Sequence, residues 1–138
     1  MAAARVAGDT AGAAMASSLA TRLDRLAEED ARVYSAAVSA LPDVDPAESS
    51  PQRDFALGTL LDVAADVPLR IAEACADVAE LARTLAERVD PALGPDLEVA
   101  ARVAVGAARG AAHLVEINLV VAEDDPRAAR ARAIAELR

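Results

Sequence analysis

Apolar residues in this chain recur at steps of three and four, the period of one helical face. The first stripe is Leu19, Leu23, Leu26, Asp30, Val33/Tyr34, Ala37 and Leu41. It predicts a helix from Asp9 or Thr10, either of which can cap it, to about Ala40. Met1 to Ala7 reads as the tail of an earlier helix stopped at Gly8. Pro42 ends the long helix, and residues 42–51, PDVDPAESSP, form the one clear loop. A second stripe runs through Leu57, Leu61, Ala64, Pro68, Ile71, Cys75, Val78, Ala82, Leu85 and Val89. Pro68 removes a backbone donor inside that helix, so a kink or break is expected near Asp66–Pro68. Asp90-Pro91 and Gly94-Pro95 make a short turn. A third helix begins at Pro95 and reaches about Val121. Asp124 or Asp125 then caps a last helix, with Pro126 in its first turn. No segment alternates with period two. Four long helices with short connections predict an all-α antiparallel bundle.

The third helix carries an unusual stripe of Ala100, Val103, Ala107, Gly110, Leu114, Ile117 and Val121. Gly106 and Gly110 lie four apart on nearly the same face. Each glycine inside a helix costs about 1 kcal/mol relative to alanine. Two of them beside alanines predict that another helix comes very close there. Such broad small-residue faces would leave one four-helix subunit with exposed apolar surface, which soluble monomers seldom show. Dimerisation through these faces is therefore expected.

Composition narrows the functional classes. The 138 residues suffice for one domain with a core. Tyr34 and Phe55 are the only aromatics, so the core must rest on Leu, Val and Ala. The net charge is −9, and every basic residue is arginine. An acidic chain without a basic run is a poor nucleic-acid binder, since phosphate contacts supply most of that affinity. No apolar run approaches the ~20 residues of a membrane span. The N-terminus lacks the apolar run of a secretory signal, which makes the cytoplasm the expected compartment. Cys75, the single cysteine, falls in an apolar stripe and reads as a buried thiol.

A few polar residues interrupt the pattern. Asp30 occupies a stripe position. It is either a catalytic or ligand-binding acid facing a cleft or a solvated acid at the stripe edge. Tyr34, one turn on, can stack on a flat ligand, give a hydrogen bond or fill an interface. Asp96 opens the third helix, where the dipole favours an acid. Asn118 lies between Ile117 and Leu119, and a buried amide there must tie down a loop or hold a ligand. Asp96 and Asn118 are roughly 33 Å apart along a helix, so one subunit cannot place both at one small ligand. His113 is the only histidine, and nothing has the spacing of a zinc site, a di-iron site or a phosphate loop.

Three segments resemble the cyclodeaminase domain of the formiminotransferase-cyclodeaminase family, which includes methenyltetrahydrofolate cyclohydrolases. Glu29-Asp30-Ala31-Arg32-Val33-Tyr34-Ser35-Ala36-Ala37 resembles its D-A-x-A-F/Y-x-A stretch. Val67-Pro68-Leu69-Arg70-Ile71-Ala72 is similar to its V-P-L-x-I-A helix break. Pro95-Asp96-Leu97 through Gly110-Ala111 to Ile117-Asn118-Leu119 resembles its S-D-x-x-V-A-A…I-N-L helix. The resemblance covers about Ala2–Arg138. It implies a single helical domain over residues 1–138, a homodimer, and chemistry on a tetrahydrofolate substrate with no tightly bound cofactor or metal. Cyclodeaminases convert formimino- to methenyl-tetrahydrofolate with loss of ammonia, and relatives hydrolyse the methenyl form. Asp30 would then be the acid/base. Tyr34, Asp96 and Asn118 would bind the substrate or fix its pocket. The family's proline-triple-glycine segment is absent, as though the N-terminal part of the first helix were missing. Pro95, Leu114 and Glu116 stand where the family has serine, asparagine and often a basic residue. A non-catalytic helical dimer of the same family is the alternative, and an unrelated helical interaction protein a third reading.

Overall fold

The computed structural model describes residues 2–40, 51–119 and 124–138. Of the expected loop at 42–51, Pro51 is the first residue of a helix, and residues 42–50, with the stripe positions Leu41 and Val121, lie outside the described residues. The described chain forms α1 (Ala2–Ala40), α2 (Pro51–Ala64), α3 (Asp66–Ala86), a short 3₁₀ turn (Pro91–Leu93), α4 (Gly94–Asn118) and α5 (Pro126–Ala135). There is no strand among these residues. The fold is thus the all-α bundle expected, with its second long helix broken into α2 and α3 at Ala65.

The local signals act as the residue chemistry requires. The Asp90 carboxylate accepts from the Ala92 N–H at 2.9 Å and caps the 3₁₀ turn. Asp125 caps α5 through the Arg127 N–H at 2.8 Å, with Pro126 in the first turn. Gly8 does not stop a helix, because α1 runs through it unbroken. Its cost of about 1 kcal/mol is offset by the alanines on both sides, the best helix formers.

The core is built from small side chains. Ala72, Ala108, Ala112, Ala131 and Val115 are fully buried where α3, α4 and α5 meet, with Ala65, Cys75, Leu119 and Ile134 around them. Alanine surfaces let helix axes approach near the lower end of the usual 8–10 Å range. Leu26, Val67 and Ala74 close the α1–α3 contact. Interhelical ion pairs fix the neighbours of α3. Arg22 meets Asp77 at 3.2 Å and Glu29 meets Arg70 at 2.7 Å, both joining α1 to α3. The two pairs lie two turns apart and run in opposite directions along their helices, so α1 and α3 are antiparallel. Arg130 on α5 meets Glu73 at 3.0 Å.

The face that α4 buries within the chain is not the stripe read from its spacing. The α4 stripe of Ala100, Val103, Ala107, Gly110, Leu114 and Ile117 is exposed, not packed on the bundle. The buried face is Ala101, Ala104, Val105, Ala108, Ala111, Ala112 and Val115. Space around both helix glycines is open, since a Cβ at Gly106 or Gly110 would meet nothing within 4 Å. The helix is apolar over two adjoining faces, and periodicity alone does not choose between them. The intrachain partner takes the alanine face. The face with the glycines keeps Val99, Val103, Leu114 and Ile117 in the open.

Candidate functional site

The polar candidates divide between the two ends of the bundle. Glu29 pairs with Arg70 near the start of α3, which places Asp30 at the end where α2 gives way to α3. Asp30 is half-buried and forms no ion pair or hydrogen bond with a described residue. Tyr34 follows one turn later on α1 and is 69% exposed. Asn118, at the last turn of α4, reaches the same end, because its side-chain amide donates to the Ala64 carbonyl at 3.1 Å. Asp96 belongs to the other end, exposed in the first turn of α4. Three of the four candidates therefore share an end, and Asp96 does not join them.

The reason for the Asn118 bond lies in Pro68. In an unbroken helix the N–H of residue 68 would donate to the carbonyl of residue 64. Proline has no N–H, so the Ala64 carbonyl is left without that partner. Asn118 supplies the missing donor from another helix. Its tie to the helix break is the first of the two roles open to a buried amide at this position.

A second brace crosses the same break, and nothing in the stripes announced it. Arg127, in the first turn of α5, donates to the Asp62 carbonyl at 2.9 Å and to the Asp66 carboxylate at 2.7 Å. It also contacts the Asp62 carboxylate and grips Asp125 at 2.7 Å. The side chain and backbone N–H of Arg127 hold the Asp125 carboxyl below the usual carboxylate range. The bond that its side chain donates to Asp125, with those it donates to Asp66 and Asp62, raises the already high pKa of the guanidinium. A signal did exist in the sequence. A cation in the first turn of a helix opposes the helix dipole, so Arg127 needed acids nearby.

Other polar candidates are accounted for locally. His113 is exposed on α4, with Nδ1 3.7 Å from the Glu116 carboxylate. Cys75 is buried, and burial pushes its thiol pKa up, which suits packing and not nucleophilic attack.

A long helix broken near a proline, with an asparagine tying the break to the next helix, places these residues in an all-α bundle. Residues 9–136 match the family model described as formiminotransferase-cyclodeaminase. The chain belongs to that family, which is associated with cyclodeaminase activity on folates. No curated protein and no solved structure matches it. No described helix is long and apolar enough to cross a membrane.

Proposed function

We propose that this chain acts in the cytoplasm as a homodimeric one-carbon folate enzyme, a formiminotetrahydrofolate cyclodeaminase or methenyltetrahydrofolate cyclohydrolase. The family match over residues 9–136 is the observation that carries the reading. Ring closure requires N10 of the substrate to attack the formimino carbon. A proton must leave N10, and the departing nitrogen must gain one to leave as ammonia. In the hydrolytic reaction, water attacks the methenyl carbon and a C–N bond breaks. Each route uses a group that can accept and return a proton. Asp30 is half-buried and bonded to no described residue, so it is free to take that role. Tyr34 presents an open ring one turn away, suited to a flat pterin. Asn118 would fix the pocket wall through the helix break. Asp96 would reach such a ligand only from a second subunit.

The dimer reading rests on the exposed α4 face. Val99, Val103, Leu114 and Ile117 lie beside two glycines that no intrachain contact uses, and a second copy of α4 would cover them. The dispersion of the candidate residues favours a second reading, in which the chain is a non-catalytic dimer that binds a folate or supports assembly. Calorimetry with a tetrahydrofolate, paired with turnover of the formimino and methenyl substrates, separates the two. Binding and turnover that both survive Asp30→Asn would remove Asp30 from the site. Binding without turnover selects the non-catalytic reading, and neither binding nor turnover removes the folate reading altogether.

A further inference from the structure

Toward the far end of α3 from Asp30, arginines gather without enough acids to match them. Glu98, Arg102, Val105 and Arg109 follow one another along α4 at steps of three and four, so they share one side of that helix. Arg83, in the last turn of α3, and Arg138, just after α5, complete the wall. Together they border a recess of about 360 Å³, near the lower end of the size that small ligands occupy. Its floor is apolar and packed. Ala101 and Val105 are buried, and Leu137 packs against the same cluster. Along α3, Arg83 lies roughly 20 Å beyond Arg70, so the recess is separate from the end that carries Asp30, Tyr34 and Asn118. Asp96 is not in its wall either. It stands about 200° around the helix from Glu98.

Four of the chain's 14 arginines border this recess, against one side-chain carboxylate. Glu98 meets Arg102 at 2.8 Å, and Arg83 donates to the main-chain oxygen of Arg138. Arg109 and the Arg138 guanidinium have no ion pair or hydrogen bond with a described residue. By contrast, the arginines that join α3 to its neighbouring helices each meet an acid. The rest of this acidic chain does not cancel the surplus. At physiological ionic strength exposed charges act over about 8 Å, so only the groups in the wall decide the local sign.

We propose that this recess binds a tetrahedral dianion, phosphate or the phosphate group of a small ester, held between α3, α4 and the segment after α5. Arg109 and Arg138 supply the unmatched charge, and Arg83 and Arg102 present the N–H groups that their present partners leave unused. The number and direction of the donors set the ligand class. A carboxylate offers two oxygens in one plane and a single charge, which one guanidinium fork fills. Forks that arrive from three segments of chain need acceptors pointing in several directions, with more than one charge, as a phosphate has. Glu98 competes with the anion for Arg102 and lowers its affinity.

The test titrates the full chain with inorganic phosphate at constant ionic strength, followed by amide NMR and thermal unfolding. Saturable shifts are expected at Ala101, Arg109 and Leu137, with an unfolding midpoint that rises with phosphate as mass action requires. Acetate should bind about tenfold or more weakly, the scale of one lost charge-assisted contact. Arg109→Gln changes an exposed side chain, should keep the fold, and should weaken phosphate by a similar factor. Glu98→Gln removes the competing carboxylate and should tighten phosphate severalfold, a change that damage to the fold does not imitate. Glycerol phosphate distinguishes the two sources within the proposal. Tighter binding than phosphate assigns the recess to an ester, and equal binding to the free anion. No saturation at millimolar phosphate, equal affinity for acetate, shifts centred on Arg22 and Arg25, or weaker binding by Glu98→Gln would overturn the proposal. Asp30→Asn should leave the affinity unchanged, and no folate enters the measurement, so the anion site stands or falls apart from the proposed enzyme.

Discussion

The Asn118 side-chain amide donates to the Ala64 carbonyl at 3.1 Å, four residues before Pro68. This pairing links two of the segments that resemble the family, the V-P-L break and the I-N-L helix end. The proline breaks a helix, the break orphans a carbonyl, and the asparagine occupies the vacancy from a helix 54 residues away in sequence. A buried carbonyl without a partner costs about 1–3 kcal/mol.

Asn118→Leu is therefore expected to destabilise the fold by about 1–3 kcal/mol in urea or guanidinium unfolding. The informative measurement is a double-mutant cycle with Pro68→Ala. Alanine restores the N–H at position 68, and the Ala64 carbonyl can regain a helical partner. The cost of Asn118→Leu should then shrink in the Pro68→Ala background, giving a coupling above 0.5 kcal/mol on the usual scale for contacting residues. Additive effects within roughly 0.3 kcal/mol would show that the two residues do not share this carbonyl.

Acid should loosen the brace at the other side of the break. Hydrogen bonds from the Arg127 side chain, and then its backbone N–H, hold the Asp125 pKa low. A carboxyl lowered on folding contributes stability that is fully present above its unfolded value of about 3.9. That contribution is lost as pH falls through the lower, folded value. Stability measured from pH 7 down to pH 2.5 should hold until about pH 4 and decline below it through this group. Arg127→Met removes the partner, so the Asp125 part of that decline should vanish. The variant should also lose about 1 kcal/mol at pH 7, a modest figure because Asp62 and Asp66 are more than half exposed. An unchanged acid limb in Arg127→Met would refute the assignment.

Much of this architecture was legible because prolines, glycines and aspartates act locally. Pro68 marks the α2–α3 break, Asp125-Pro126 marks the start of α5, and the stripe through Ile71, Cys75, Val78 and Ala82 is buried or half-buried as its spacing requires. What failed to be legible depends on tertiary choice. Gly8 looked like a stop, yet surrounding alanines carry the helix through it. The apolar series on α4 is nearly as good on one face as on the next, so a one-residue offset decided which was buried. At the candidate site, Asp30 and Asn118 stood out as polar interruptions. The partner of Asn118 is a backbone carbonyl, which leaves no mark on side-chain pattern. Arg127 was visible only as a cation at the wrong end of a helix dipole.

The buried thiol gives a simple check on the α3 face. Cys75 is 6% exposed among Ala72, Ala108 and Ala112, and burial raises its pKa. Thiolate, not thiol, reacts with disulfide reagents. Modification of the native chain at pH 8 should be slow and should accelerate sharply in denaturant. Rapid modification under native conditions would mean that α3 does not pack on α4 through this face.

The two glycines of α4 make the sharpest test of the dimer, because chain stability and self-association should respond in opposite directions. Within one chain a Cβ at Gly106 or Gly110 meets nothing within 4 Å, and glycine in a helix is about 1 kcal/mol worse than alanine. Under dilute, monomeric conditions, Gly106→Ala and Gly110→Ala should each stabilise the chain by about 0.5–1 kcal/mol. A larger side chain has the contrary effect on association. If a partner helix closes over these positions, Gly110→Leu holds the two backbones apart and removes their close contact. Sedimentation should then show at least a tenfold weaker dimer, while circular dichroism shows the helical content retained. Val103, 66% exposed on the same face, provides an independent arm, since Val103→Arg places a charge in the seam at little cost to the monomer. A wild-type chain that sediments as a monomer at high micromolar concentration, or variants that associate as tightly as it does, would leave the open face of α4 without its second copy.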